Sequence, residues 1–173
     1  GIYNNPSRTG VMLEPEMIEE FANQCPNFVV DKEAMGNVGH LCEVKKRLGD
    51  RISIMCCDFP KYSIRLPLMS IGGNGAANIG GNVIPEEMAI MSRPWNTIED
   101  HIQCRDTYMK YYDLLKALYF FSNPVCIKAA LRMMGLPVGA LRKPYQELGG
   151  SKLEELTRLM EELGVFEKYG RAK

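Results

Sequence analysis

The chain has 173 residues, with 21 basic and 21 acidic side chains and so no formal net charge. That length fits one ordinary domain with a sizeable core. The charge balance gives no overall attraction to nucleic acid or to an anionic membrane surface. The apolar fraction of 46% is that of a globular protein. No apolar run reaches the roughly 18 residues of a membrane span, and no charged-then-apolar signal segment opens the sequence.

In chain order, "GIYN" (1–4) predicts a strand end. "LEPEMIEEFANQC" (13–25) predicts a helix, with Pro15 in its first turn and acids early. "NFVVDKEA" (27–34) predicts a strand, and "NVGHLCEVKKRLG" (37–49) a helix closed by Gly49. "RISIMCC" (51–57) predicts a strand, and "YSIRLPLMSIG" (62–72) a short helix. "GAANIGG" (75–81) predicts a Gly-rich strand and loop, and "PEEMAIMSR" (85–93) a helix. The alternation β-α-β-α-β-α-β-α implies right-handed crossovers and a parallel sheet, with strands apolar on both faces.

After residue 94 the pattern turns all-helical. "NTIEDHIQCRDTYMKYYDLLKALYFF" (96–121) predicts one long helix, and "NPVCIKAALRMMG" (123–135) a second. "SKLEELTRLMEELGV" (151–165) predicts a third, with a Ser151–Glu154 capping box. The expected division is therefore a strand-and-helix part, 1–94, and a helical region, 95–173.

Six cysteines stand at 25, 42, 56, 57, 104 and 126, with only two histidines, His40 and His101. None forms C-x-x-C, so no metal site is expected. Reduced cysteines in apolar runs read as core filler in a cytoplasmic protein. Both histidines fall on helices away from the strand ends, where no catalytic role is assigned to them.

Four parallel strands are half of an eight-stranded barrel, whose full form takes about 250 residues. The alternative is a small doubly wound open sheet. In a barrel, chemistry sits at the C-terminal strand ends, which here carry Tyr3 with Ser7, Arg8 and Thr9, then Lys32, then Cys57-Asp58, then Asn78 to Gly81. A lysine inside an apolar strand is costly unless it moves toward the neutral amine, and a neutral amine is a nucleophile able to form a Schiff base. The bland account of Lys32 is a strand-end lysine that reaches solvent. Tyr3 could pass a proton or be a core aromatic. Arg8 could clamp a carboxylate or be a solvated surface residue.

The combination is more specific than its parts. "YNNPSRTG", then "KEAMGN" with its lysine 29 residues after the tyrosine, then "GGNG" ahead of a strand, resembles the dihydrodipicolinate synthase / N-acetylneuraminate lyase family. "NPVCIKAALRMMGLPVGALRKPY" and "SKLEELTRLMEELGV" are similar to that family's C-terminal helical segment. These are class I, Schiff-base-forming pyruvate aldolases. The resemblance implies the second half of a (β/α)8 barrel, strands five to eight, followed by a C-terminal helical segment. It implies that Lys32 condenses with pyruvate, that Tyr3 relays protons, and that Arg8 binds the carboxylate of the second substrate. It also implies a substrate-binding position at Ala77.

No metal or organic cofactor is implied, only the covalent imine on Lys32. Arg8 in "PSRTG" leans toward the synthase branch, a lyase that condenses pyruvate with aspartate semialdehyde on the route to diaminopimelate and lysine. A 2-keto-3-deoxy sugar-acid aldolase or dehydratase, and a non-catalytic remnant, are the other readings. The implied partners are pyruvate and a small aldehyde, with no nucleic acid and no membrane, in a homotetramer or homodimer. The family's first half supplies a Gly-Thr-Thr loop for the pyruvate carboxylate. That half-barrel is expected on the parent chain or on a partner.

Several residues depart from the family pattern. Asp31 stands where an aliphatic residue is usual, and by alternation it points at the helix layer while Lys32 points inward. A carboxylate there needs a partner or a raised pKa. "MCCDFP" lacks the usual Ser-Gly-Asp run, and Ala77-Asn78 replace an apolar-Ser pair. The Asn4-Asn5 step is also seen in sugar-acid members.

Overall fold

The structure, a computed structural model, describes residues 1–57 and 63–171. Four strands pair in parallel: β1 (Ile2–Asn4), β2 (Val30–Glu33), β3 (Ser53–Cys56) and β4 (Gly75–Ala76). Their order in the sheet is their order in the chain, β1-β2-β3-β4. A doubly wound sheet reverses strand order at a switch point, whereas a barrel adds each strand to the same side of the last. The sequential order therefore selects the barrel segment over the open sheet.

The helices are α1 (Pro6–Thr9), α2 (Pro15–Gln24), α3 (Val38–Leu48), α4 (Arg65–Ser70), α5 (Pro85–Ser92), α6 (Ile98–Ala117), α7 (Val125–Met133), α8 (Gly150–Glu162) and α9 (Val165–Tyr169). Pro15 opens α2, where a missing N–H costs nothing. Asn37 caps α3 by accepting from the His40 amide, and Gly49 closes it at φ 55°, a conformation that favours glycine. Among the described residues no helix is long and apolar enough to cross a membrane.

The chain forms two compact units. The first comprises Gly1–Asn78 and Ser92–Arg105, the second Ile79–Met91 and Asp106–Lys173. In the first, Ile18 of α2, Leu41, Val44 and Leu48 of α3, Leu68 of α4 and Ile54 of β3 are fully or almost fully buried in one cluster. The strands are not apolar on both faces. Along β2 and β3 buried and half-buried residues alternate, with Asp31, Glu33, Ile54 and Cys56 buried and Val30, Lys32, Ser53 and Met55 half-buried. Ile54 and Cys56 of β3 join the cluster that α2, α3 and α4 build on one face of the sheet. In the second unit, Leu114, Leu115, Leu118, Cys126, Ala130, Leu156 and Met160 form the interior. There the Glu87 carboxylate accepts from Lys168 Nζ at 2.8 Å, Tyr169 Oη at 2.6 Å and Tyr111 Oη at 3.3 Å.

Two helix ends differ from expectation. The Ser151–Glu154 capping box does not form: α8 begins at Gly150, one residue earlier, so Ser151 already lies inside the helix and Gly149 occupies the cap without a side-chain bond. The long helix is shorter than 96–121. Asn96 and Thr97 lie outside it, their amides donating to Asp100 Oδ2 at 3.0 and 2.9 Å. At the other end the chain tightens, Tyr119 and Phe120 bonding three residues back to Lys116 and Ala117.

Candidate active site

β1 and β2 pair in a register that sets Tyr3 beside Lys32. In a parallel ladder, register partners project to the same face, so one hydrogen-bonding pattern fixes both side chains. Lys32 Nζ stands over the Tyr3 ring, 4.2 Å from its centroid, within the range where an ammonium is attracted to an aromatic face. Lys32 is half-buried and Tyr3 is exposed to 39%.

The loop leaving β1 folds back at once into α1. The Asn5 carbonyl accepts from the Arg8 amide at 2.8 Å, the Thr9 amide at 2.9 Å and Thr9 Oγ1 at 2.9 Å. The Asn5 side chain is buried; its Oδ1 accepts from Ser7 Oγ at 2.7 Å, and its Nδ2 donates to Tyr3 Oη at 2.6 Å. Arg8 is exposed on α1, directly after the strand that carries Tyr3. Among the described contacts none joins Arg8 to Tyr3 or Lys32, so the structure places it at the same strand end rather than against them. Cys57 follows β3, with its Sγ 4.0 Å from Tyr3 Oη. Asp58 lies outside the described residues. Ala77 follows β4, two strands away from Lys32, with its amide donating to the Cys56 carbonyl at 2.8 Å.

The opposite face of β2 carries a second polar group of a different kind. Asp31 and Glu33 lie two residues apart on the buried side, exposed to 0% and 1%. Glu33 Oε1 accepts from Asn4 Nδ2 at 2.8 Å and faces His40 Nε2 of α3 at 3.1 Å. A carboxylate only accepts, so that imidazole nitrogen is the donor. Asn4 also ties β1 to the approach to α2, donating to the Leu13 carbonyl at 2.9 Å and accepting from the Leu13 amide at 3.1 Å. Glu33 is thereby satisfied as an anion.

Asp31 is not. As an anion it has no donor facing either oxygen, and its pKa is pushed up to about 8, first by burial, then by the charge of Glu33 and by the hydrogen bond to Glu33 that a protonated Asp31 makes. Two carboxylates hold no donor between them; protonating Asp31 supplies it. The need for a partner or a raised pKa is met by the second route.

Sequence reasoning placed Lys32 and Asp31 on opposite faces of β2, as the alternating burial has them, and missed the network behind them. His40, expected on a helix away from the strand ends, instead meets Glu33 at the end of β2 and Asn4 at the end of β1, at 3.1 and 3.3 Å. The available signal was "DKE" itself, in which the residues flanking the lysine are both acidic and both on the helix side. The Asn5–Tyr3 bond has no signature in spacing alone, because it depends on the sharp turn into α1.

A sequence model of the Dihydrodipicolinate synthetase family matches residues 2–163. A 4-hydroxy-tetrahydrodipicolinate synthase of Fervidobacterium nodosum is 32% identical over 170 residues, 95% of this chain and 55% of that protein. One of Methanosphaerula palustris is 34% identical over 163 residues, 92% of this chain and 53% of that protein. The crystal structure of DHDPS from Cyanidioschyzon merolae with lysine bound matches with a TM-score of 0.85 at 31% identity, over 94% of this chain and 54% of that one. This chain thus spans about half the length of the curated relatives it matches. Its four sequential strands and following helices correspond to about half of their barrel. The chain belongs to the dihydrodipicolinate synthetase family.

Proposed function

We propose that the protein carrying this chain is a Schiff-base-forming aldolase that condenses pyruvate with aspartate semialdehyde. This is the 4-hydroxy-tetrahydrodipicolinate synthase reaction, which leads to diaminopimelate and lysine. The observation that carries the proposal is the pairing of Lys32 with Tyr3 on one face of the sheet, amine over ring. The names of the relatives support the same assignment.

The chemistry follows from what each group offers. The unprotonated Lys32 amine adds to C2 of pyruvate, and Tyr3 delivers a proton to the oxygen that becomes the carbinolamine hydroxyl. The extra proton on the nitrogen moves to that hydroxyl, which leaves as water, and the cationic imine draws electrons from the neighbouring methyl. That methyl returns a proton to Tyr3 to become the enamine carbon, which attacks the aldehyde of the second substrate. The new C–C bond forms as the aldehyde oxygen takes a proton through Tyr3. Transimination or water then frees Lys32. Arg8, with its planar fork, holds the carboxylate of the incoming aldehyde, and Ala77 contributes to the wall of the substrate site. The step requires neither a metal nor an organic cofactor, since the imine itself is the electron sink.

A second reading, cleavage or dehydration of a 2-keto-3-deoxy sugar acid, is favoured by the polar groups Asn5 and Cys57 gathered at the Tyr3 hydroxyl. It uses the same imine. Turnover separates the two. The complete protein is expected to consume pyruvate with aspartate semialdehyde and to leave 2-keto-3-deoxy acids unchanged. Cleavage of those acids without condensation of the semialdehyde overturns the synthase assignment.

A further inference from the structure

We infer that Asn5 is a positioning residue for the proton relay: its amide, clamped by the loop that carries Arg8, donates to the Tyr3 phenol oxygen and directs the Tyr3 proton away from the loop. The inference rests on the Schiff-base reading for its purpose, and on three geometric facts for its substance.

The first is direction. An amide nitrogen carries donors only, so in the 2.6 Å contact between Asn5 Nδ2 and Tyr3 Oη the phenol accepts. Its single O–H must then point elsewhere. The second is rigidity. Asn5 is 2% exposed, its carbonyl holds the Arg8 amide, the Thr9 amide and Thr9 Oγ1, and its Oδ1 is fixed by Ser7 Oγ. In this orientation Ser7 Oγ donates to Oδ1 while Nδ2 donates to Tyr3 Oη. The third is convergence. Cys57 Sγ approaches the same phenol oxygen from the end of β3 at 4.0 Å. Donors thus reach that oxygen from two elements.

Donors aimed at a phenol oxygen favour the phenolate, the form left once the proton has been given. A relay must give up its proton and regain it twice in the cycle, and a preset donor makes that exchange easier without any movement at the moment of reaction. The same bond links the relay to the loop that carries Arg8, so the carboxylate clamp and the proton donor share one rigid support.

The test uses the complete protein and the variants Asn5→Asp and Asn5→Val. The first keeps the shape and the Ser7 contact but removes the donor; the second removes both. Tyrosine labelled at its ζ carbon reports the Tyr3 titration by NMR, with Tyr3→Phe to assign the signal. Loss of a hydrogen bond to the charged form raises the Tyr3 midpoint by about one pH unit or more in both variants. The limiting rate kcat falls about tenfold while KM for pyruvate stays within about twofold, since the amide acts on proton transfer and not on binding. An unchanged Tyr3 midpoint in Asn5→Asp overturns the inference, whatever the activity. The reading it rests on fails separately, if the wild-type protein forms no borohydride-trapped pyruvate adduct; the Tyr3 titration still decides the role of Asn5 in that case.

Discussion

Lys32 Nζ and the Tyr3 ring face each other at 4.2 Å across the β1–β2 pairing. The nucleophile and the proton carrier are therefore placed by one backbone register. A one-residue slip of either strand would put the two on opposite faces, so that register is a functional as well as a structural requirement. The consequences of the pairing can be measured group by group.

Tyr3→Phe keeps the ring that packs against Lys32 and removes the hydroxyl. General acid–base assistance of this kind contributes about a hundredfold or more to rate. We expect kcat to fall by that factor, with KM for pyruvate nearly unchanged and the slow formation of a Lys32 adduct preserved. A steady-state comparison across pyruvate concentrations checks it.

Arg8→Lys retains the charge and loses the fork. Where a guanidinium grips a carboxylate through two parallel bonds, lysine is a poor substitute. Charge-assisted hydrogen bonds of this type are worth about 1.5–3 kcal/mol. The expected result is a loss of about tenfold or more in kcat/KM for the aldehyde acid, with pyruvate KM unaffected.

The buried Asp31 makes stability depend on pH in an unusual direction. Its ordinary value is 3.8 and its folded value is about 8, so between these limits the folded chain holds a proton that the unfolded chain has released. Stability therefore falls as pH rises from about 4 to about 8 and is flat beyond. Asp31→Val removes the titrating group from an interior position. It should raise the melting temperature most at pH 7 to 8, by an amount on the order of a few kcal/mol in stability, and little near pH 4. Thermal melts across that range, wild type against variant, read the slope directly. A wild-type slope of the opposite sign would contradict the assignment.

Glu87 behaves in the opposite sense. Burial opposes its charge, but the bonds from Lys168 and Tyr169 outweigh burial and hold its pKa below the ordinary 4.5. The stability it confers is present above that value and is lost as pH falls through the lower folded value. Glu87→Ala leaves Tyr111 and Tyr169 without this acceptor, while Lys168 keeps Glu86 at 2.7 Å, and should cost about 1–3 kcal/mol. Hydrogen exchange should show the loss concentrated in α9, whose Lys168 and Tyr169 this carboxylate holds.

Much of this arrangement could be read in advance because its markers are local. Pro15 opens α2 and Gly49 closes α3 through their own backbone geometry, and alternation along "VDKE" places Lys32 and Asp31 on opposite faces. What stayed hidden depends on contacts between distant segments or on very short elements. Nothing in α1 or α9 gives a helical period long enough to recognise. The satisfaction of Glu33 requires Asn4 and His40, which arrive from a neighbouring strand and a helix. Ser151 followed by Glu154 matches a capping box in letters, but the helix starts two residues too early for the side chain to serve.

The most direct test of the account is reduction with borohydride in the presence of pyruvate, on the complete protein, followed by peptide mass mapping. The account predicts one reduced pyruvyl group on the peptide containing Lys32, absent without pyruvate and absent in Lys32→Ala. A protein that remains unmodified, or that carries the adduct on another lysine while Lys32 stays free, would contradict it.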